Sequence, residues 1–144
     1  MKFLNIHKQD KKIFKNLIND FKKNINKGDF ILGKSVETFE REFASYCGSK
    51  YAIGCGNGTD ALTIALKALN LPNKSEVIIP AMTYCSTAFA VINANLKPVL
   101  ADIDFMTPTI SLNQIKKKIN PRTKVIIPVH LYGSSANING IKKI

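Results

Sequence analysis

The sequence predicts an α/β fold with a mainly parallel sheet and helices on both faces, and three observations carry that expectation. From Lys50 onward short apolar runs alternate regularly with helical stretches. The runs Val77-Ile78-Ile79 and Val125-Ile126-Ile127 show no polar alternation, as expected of strands covered on both faces. The chain has 144 residues, 45% hydrophobic and 22% charged, enough to bury the core such a sheet needs.

Taken in order, the elements begin with an amphipathic helix. Between His7 and Asn26, the residues Ile13, Phe14, Leu17, Ile18, Phe21 and Ile25 recur at three- and four-residue spacing above a lysine-rich face, and Lys27-Gly28-Asp29 ends the pattern. The stretch "FILGKSVETFEREFASYCG" follows, with Val36, Phe39, Phe43 and Cys47 on one helical face, Ser35 placed to cap its start and Gly48 its end. The alternating part then reads strand "KYAIGC", helix Thr59 to Leu69, strand "EVIIP", helix "STAFAVINAN", strand "KPVLAD", helix "SLNQIKKKI", strand "TKVIIPV" and the opening of a helix in "NINGIKKI". The last pattern stops within about two turns, as if the chain were a fragment. Residues 1–28 are expected to form an N-terminal helical segment, and 29–144 an incomplete larger domain.

Right-handed crossovers bring the loops after parallel strands to one edge of the sheet, where α/β proteins hold their ligands. Those loops are Gly56 to Asp60, Ala81 to Ser86, Asp102 to Thr107 and His130 to Ser134.

Composition narrows the function classes. The net charge of +11 is nearly all lysine spread along the chain, with arginine only at Arg41 and Arg122, which argues against nucleic-acid readout. Cys47, Cys55 and Cys85 lack metal-ligand spacing and read as buried thiols. No apolar run is long enough to span a bilayer, and "MKFLNIHKQDKKIF" lacks the apolar region of a secretory signal, so a cytoplasmic location is expected.

The stretch "GCGNGTDALTIALKAL" sets three glycines and a Thr-Asp pair before strong helix formers. A helix start presents unpaired N–H groups and partial positive charge, a ready seat for phosphate. A P-loop would need a lysine beside the phosphates, and Lys67 lies two turns into the helix. A dinucleotide fingerprint through Gly56, Gly58 and Ala61 would need an acidic residue ending the next strand, but that strand runs into Pro80-Ala81-Met82-Thr83, with Glu76 at its other end. A tight turn capped by Thr59 or Asp60 and serving packing alone also accounts for the loop. The next loop, "PAMTYCSTAFA", adds Tyr84, an aromatic face on which a planar cofactor could lie.

The blocks "GKSVETFEREFASYCGSKYAIGCGNGTDALTIALKAL", "EVIIPAMTYCSTAFAVINANLKPVLADID" and "PRTKVIIPVHLYG" together resemble, from about Asp29 to Gly133, the N-terminal part of the DegT/DnrJ/EryC1/StrS aminotransferases. These pyridoxal 5'-phosphate enzymes aminate nucleotide-linked keto sugars. The resemblance implies the N-terminal part of the large domain of a fold-type I enzyme, normally a homodimer with its active sites at the subunit interface. It implies that Gly58, Thr59 and Asp60 help bind the cofactor phosphate and that Tyr84 stacks on the pyridine ring. Asn57 stands where the family often has Ser, while His130, Leu131 and Tyr132 fall near the site without an assigned role. The resemblance further implies an amino-acid donor such as glutamate and a ping-pong cycle. It places the Schiff-base lysine and the Asp that pairs with the pyridine nitrogen C-terminal to this segment, so the chain alone is expected to be inactive. The alternatives are a sugar dehydratase using the same cofactor, and a non-catalytic truncated α/β module that binds a phosphate ligand or a partner subunit.

Overall fold

The computed structural model describes residues 11–28 and 30–144. Residues 7–10 of the expected first helix and Asp29 lie outside the described residues. Contacts divide the chain into two units, Met1–Gly54 and Cys55–Ile144.

The first unit is helical. Helix α1 spans Lys11–Lys27, and its apolar stripe from Ile13 to Ile25 is exposed to solvent. Helix α2 spans Lys34–Cys47, with Phe39 and Phe43 stacked at 5.5 Å between ring centroids. Gly33, not Ser35, is its N-cap, with no side-chain cap bond. Ser35 lies inside the first turn, two residues past the cap position. At the other end Gly48 adopts φ 65°, and the Ser49 N–H donates to the Ala44 carbonyl at 2.9 Å. This left-handed stop is one that glycine adopts without a Cβ penalty.

The strand expected over Lys50–Cys55 does not form. Residues 51–55 are irregular, and the Gly54 N–H donates to Glu40 Oε1 at 2.6 Å. A strand satisfies its backbone through a neighbour's ladder, and no ladder partner adjoins this segment among the described residues. Strand-like composition therefore remains without a strand.

The second unit is the α/β layer structure that the sequence predicts. Its elements are α3 (Gly58–Ala68), β1 (Glu76–Pro80), α4 (Ser86–Asn93), β2 (Lys97–Ala101), α5 (Leu112–Lys118), β3 (Thr123–Ile126) and α6 (Ile138–Ile141). The strands are parallel in the order β2-β1-β3. Val77 pairs with Pro98 and Val125, and Ile78 with Val99 and Ile126.

Every residue of β1 is buried, which explains its continuous apolar run. Its side chains still alternate between two cores. Val77 and Ile79 join Leu66, Ala90, Val91 and Leu96 on the α3/α4 face. Ile78 joins Ala101, Ile110 and Ile115 on the α5 face. Each such fully buried β-branched side chain contributes roughly 1.5–3 kcal/mol. The parallel arrangement puts the strand starts at one edge of the sheet and the loops after the strands at the other.

Candidate functional site

The glycine loop and the start of α3 form a locally closed arrangement. Asn57 is the N-cap: its Oδ1 accepts the Asp60 N–H at 2.9 Å, while its Nδ2 donates to Asp60 Oδ2 at 2.8 Å. The Asn57 carbonyl accepts the Ala61 N–H at 3.0 Å. This reciprocal clasp is the Asn/Asp counterpart of a capping box. The cap is thus Asn57, neither Thr59 nor Asp60. Asn has the right side-chain length to reach two residues past the helix start, whereas Thr59 and Asp60 already lie inside the helix.

The clasp decides which donors remain. The Asp60 N–H is occupied, and its carboxylate, itself anionic, is held by Asn57. The N–H groups of Gly58 and Thr59 and the Thr59 hydroxyl have no protein acceptor among the described residues. They sit at the positive end of an 11-residue helix. A Cβ built on Gly58 would meet nothing within 4 Å, so an anion can approach this backbone closely. Three donors, a helix terminus and open space suit a phosphate group.

Tyr84 lies between β1 and α4 and is 76% exposed. The helix that follows this loop holds a buried polar residue in its first turn, Thr87, which is 6% exposed. Its N–H donates to the Tyr84 carbonyl at 3.0 Å, and its hydroxyl bonds the Thr83 hydroxyl at 2.9 Å. No hydrogen bond joins residues 56–60 to residues 83–86 among the described residues; the connection runs through the packing of α3 against α4. An anion seat and a planar aromatic face fit a phosphorylated, flat-ringed cofactor such as pyridoxal phosphate.

The other loops at this edge are self-contained. His130 Nδ1 accepts the Ala136 N–H at 3.0 Å, which leaves the proton of a neutral ring on Nε2. Tyr132 (φ 50°) and Gly133 (φ 80°) form a two-residue turn closed by the Leu131–Ser134 pair. Asp104 accepts the Met106 N–H at 3.0 Å.

The opposite edge carries a different cluster. Glu76 opens β1 with its side chain 4% exposed, and it pairs with Arg122 at 3.0 Å and Lys97 at 3.2 Å. It also accepts from Asn120 Nδ2 at 2.7 Å. The Asn120 and Lys97 hydrogen bonds, helped by the two cations and opposed by burial, hold its carboxyl below the usual range. Glu76 ties the starts of β1 and β2 to the turn before β3 and has no role at the loop edge.

The cysteine expectation is overturned. Cys47, Cys55 and Cys85 are all exposed: Cys47 ends α2 and the other two lie in the loops leading into α3 and α4. None of the three belongs to either apolar core. No cluster of metal-ligating side chains occurs among the described residues, and none of their helices is long and apolar enough to cross a membrane.

Sequence reasoning passed over Asn57 as a minor swap and did not single out Thr87. The signal for Asn57 was present as Asn-x-x-Asp spacing before a helical run. Thr87 carries no such mark, because its partners depend on the loop conformation.

Comparison with known proteins accords with this geometry. The chain is 44% identical over 120 residues to the dTDP-3-amino-3,6-dideoxy-alpha-D-galactopyranose transaminase of Aneurinibacillus thermoaerophilus, covering 83% of this chain and 33% of the relative. It is 38% identical over 144 residues to the UDP-2-acetamido-2-deoxy-3-oxo-D-glucuronate aminotransferase of Pseudomonas aeruginosa, covering 100% of this chain and 40% of the relative. The crystal structure of NtdA from Bacillus subtilis with bound cofactor PMP superposes with a TM-score of 0.91 at 33% identity, covering 99% of this chain and 33% of that one. The chain therefore spans between 33% and 40% of the length of these relatives. A profile of the DegT/DnrJ/EryC1/StrS aminotransferase family matches residues 11–144, and the chain belongs to that family.

Proposed function

We propose that this chain supplies the phosphate-binding and ring-stacking part of a pyridoxal 5'-phosphate enzyme that transfers an amino group from an amino acid, glutamate being the expected donor, to a nucleotide-linked keto sugar. The observation that carries the reading is the family match over residues 11–144. The amino sugar formed serves glycan or surface-polysaccharide synthesis, in the cytoplasm, and the working enzyme is a homodimer.

When bound, the cofactor supplies an electron-accepting ring and a carbonyl that takes up and releases the amino group. The protein's own residues hold and orient it. Gly58 and Thr59 donate backbone N–H groups to the phosphate, and the Thr59 hydroxyl adds a third donor. Asp60 acts through Asn57 by keeping the turn closed. Tyr84 offers its ring face and keeps water from one side of the bound ring.

The lysine that carries the cofactor is proposed to lie outside residues 1–144. A lysine tuned for that task needs a desolvated pocket. Every lysine whose side chain is described is exposed, apart from half-buried Lys118, which follows Lys116 and Lys117 on α5. The 144-residue chain is accordingly expected to bind the cofactor without covalent attachment and to transfer no amino group. Absorbance spectroscopy of the purified chain with pyridoxal phosphate tests this. A covalent-adduct band abolished by replacing one resident lysine would contradict it. In a longer chain, the residue at the cofactor-lysine position separates transamination from dehydration, and assay with a nucleotide-linked keto sugar and glutamate reads the outcome.

A further inference from the structure

Tyr84 presents an orientation problem. The residue is 76% exposed, so the chain's own packing does not fix the plane on which a cofactor would lie. Its carbonyl and the side chain of the residue before it are, however, both held by one residue. The Thr87 N–H donates to the Tyr84 carbonyl at 3.0 Å, and the Thr87 hydroxyl bonds the hydroxyl of Thr83, the residue before Tyr84, at 2.9 Å. Thr87 is 6% exposed and sits in the first turn of α4, whose Ala90 and Val91 are fully buried in the core shared with Val77 and Ile79. The loop is therefore anchored to a helix packed into a buried core of the second unit.

We propose that Thr87 is a positioning residue for the cofactor: by clamping Thr83 and the Tyr84 carbonyl to the start of α4, it sets the plane that the Tyr84 ring offers to the pyridine ring. The inference rests on the reading of Tyr84 as the stacking residue. Stacking depends on ring angle as well as distance, and a supporting side chain must hold such a group within about 10–20° of its working orientation. A hydroxyl pair with one buried member suits the task. Either hydroxyl can donate, so the pair stays satisfied, and removing one leaves the other without its partner.

Valine at position 87 keeps the shape, the β-branch and the backbone N–H, and removes only the hydroxyl arm. Serine keeps the hydroxyl. The test uses the full-length enzyme carrying Thr87→Val, Thr87→Ser, Thr83→Val or Tyr84→Ala, with pyridoxal phosphate as the probe. Three quantities are measured: the cofactor dissociation constant, the induced circular dichroism of the bound cofactor and the thermal midpoint of the apo-protein.

Thr87→Val is expected to raise the dissociation constant roughly three- to tenfold, about 0.7–1.4 kcal/mol by the standard conversion, and to change the induced dichroism. Thr87→Ser restores both. Thr83→Val reproduces the loss, and combining it with Thr87→Val adds little, because the two hydroxyls act as one unit. It also keeps the question answerable if Thr87→Val fails to fold.

A fall in midpoint with unchanged affinity and dichroism would overturn the proposal by making Thr87 merely structural. So would a Thr87→Val loss that persists in full on the Tyr84→Ala background, since Thr87 would then act by another route. If Tyr84→Ala weakens binding while Thr87→Val and Thr83→Val do not, the clamp alone fails. If Tyr84→Ala itself leaves affinity unchanged, the stacking assignment fails and takes the clamp with it.

Discussion

The two edges of the parallel sheet treat their polar groups in opposite ways. At the strand-start edge, Glu76 is surrounded by Arg122, Lys97 and Asn120, and Ser75 donates to the Pro72 carbonyl at 2.7 Å. At the loop edge, Tyr84 stands in solvent and the first N–H groups of α3 have no protein partner among the described residues. Both edges are held by short hydrogen bonds, but at the loop edge the bonds join residues beside the candidate donors and the aromatic ring and not those groups themselves. Asn57 clasps Asp60 and Thr87 clamps the Tyr84 segment, which leaves the outermost groups free. One edge spends its chemistry on stability, whereas the other is built to hold unspent groups in place.

The sharpest test of that division is the largest effect. In a full-length enzyme, Tyr84→Ala should weaken pyridoxal phosphate binding about tenfold or more, because aromatic stacking operates there with little water between the faces. The apo-protein midpoint should move by no more than about 2 °C, since an exposed ring contributes little to folding. A large loss of stability with unchanged affinity would reverse the assignment of the two edges.

Glu76 should behave as the mirror image. Glu76→Ala is expected to lower the midpoint by about 5 °C, and Glu76→Gln by less because it can keep the Asn120 partner, with cofactor affinity unchanged in both. The pH dependence has a definite sign. The folded-state pKa of Glu76 is lowered, so its contribution is fully present above the unfolded carboxylate value of about 4.3 and is lost as pH falls through the folded value. Urea midpoints between pH 3 and 6 should show this acid-side loss in the native chain and a flatter profile in Glu76→Gln.

The two edges differed in how legible they were. β1 and the helices α3, α4 and α5 could be read because they bury apolar residues, and burial leaves a pattern; β2 and β3, only partly buried, were legible as short apolar runs between helical stretches. Gly58, Thr59 and Tyr84 were legible as site candidates because a glycine turn before a helix and an aromatic after a strand are local signals. The Lys50–Cys55 segment was misread because strand composition does not guarantee a partner. The exposure of Cys85 and the partners of Glu76 depend on residues brought together by the fold, which single-chain periodicity does not encode, while the partners of Thr87, three and four residues before it, depend on the conformation of the loop.

A smaller effect is expected at the clasp. Asn57→Ala removes the cap and should cost about 1 kcal/mol of stability, measured by chemical denaturation. Asn57→Ser should recover most of the cap bond but not the amide bond to Asp60 Oδ2. If Ser and Ala are equally poor, the Nδ2 contact to the carboxylate matters more than the cap. If Ser matches the native chain, the reverse holds.

Gly58→Ala gives the smallest change and separates the two demands most cleanly. Gly58 is the first helical residue, it lies outside the left-handed region, and an added Cβ meets no protein atom within 4 Å. Alanine should therefore raise stability by about 0.5 kcal/mol, through the more restricted unfolded chain and better helix propensity. The same methyl group would occupy the space through which a phosphate approaches the Gly58 and Thr59 N–H groups, so cofactor affinity should fall severalfold. Opposite signs from one methyl group are what a site kept open at some cost in stability must show. If affinity rises or holds along with the midpoint, the phosphate does not rest against this turn, and the glycine serves the loop alone.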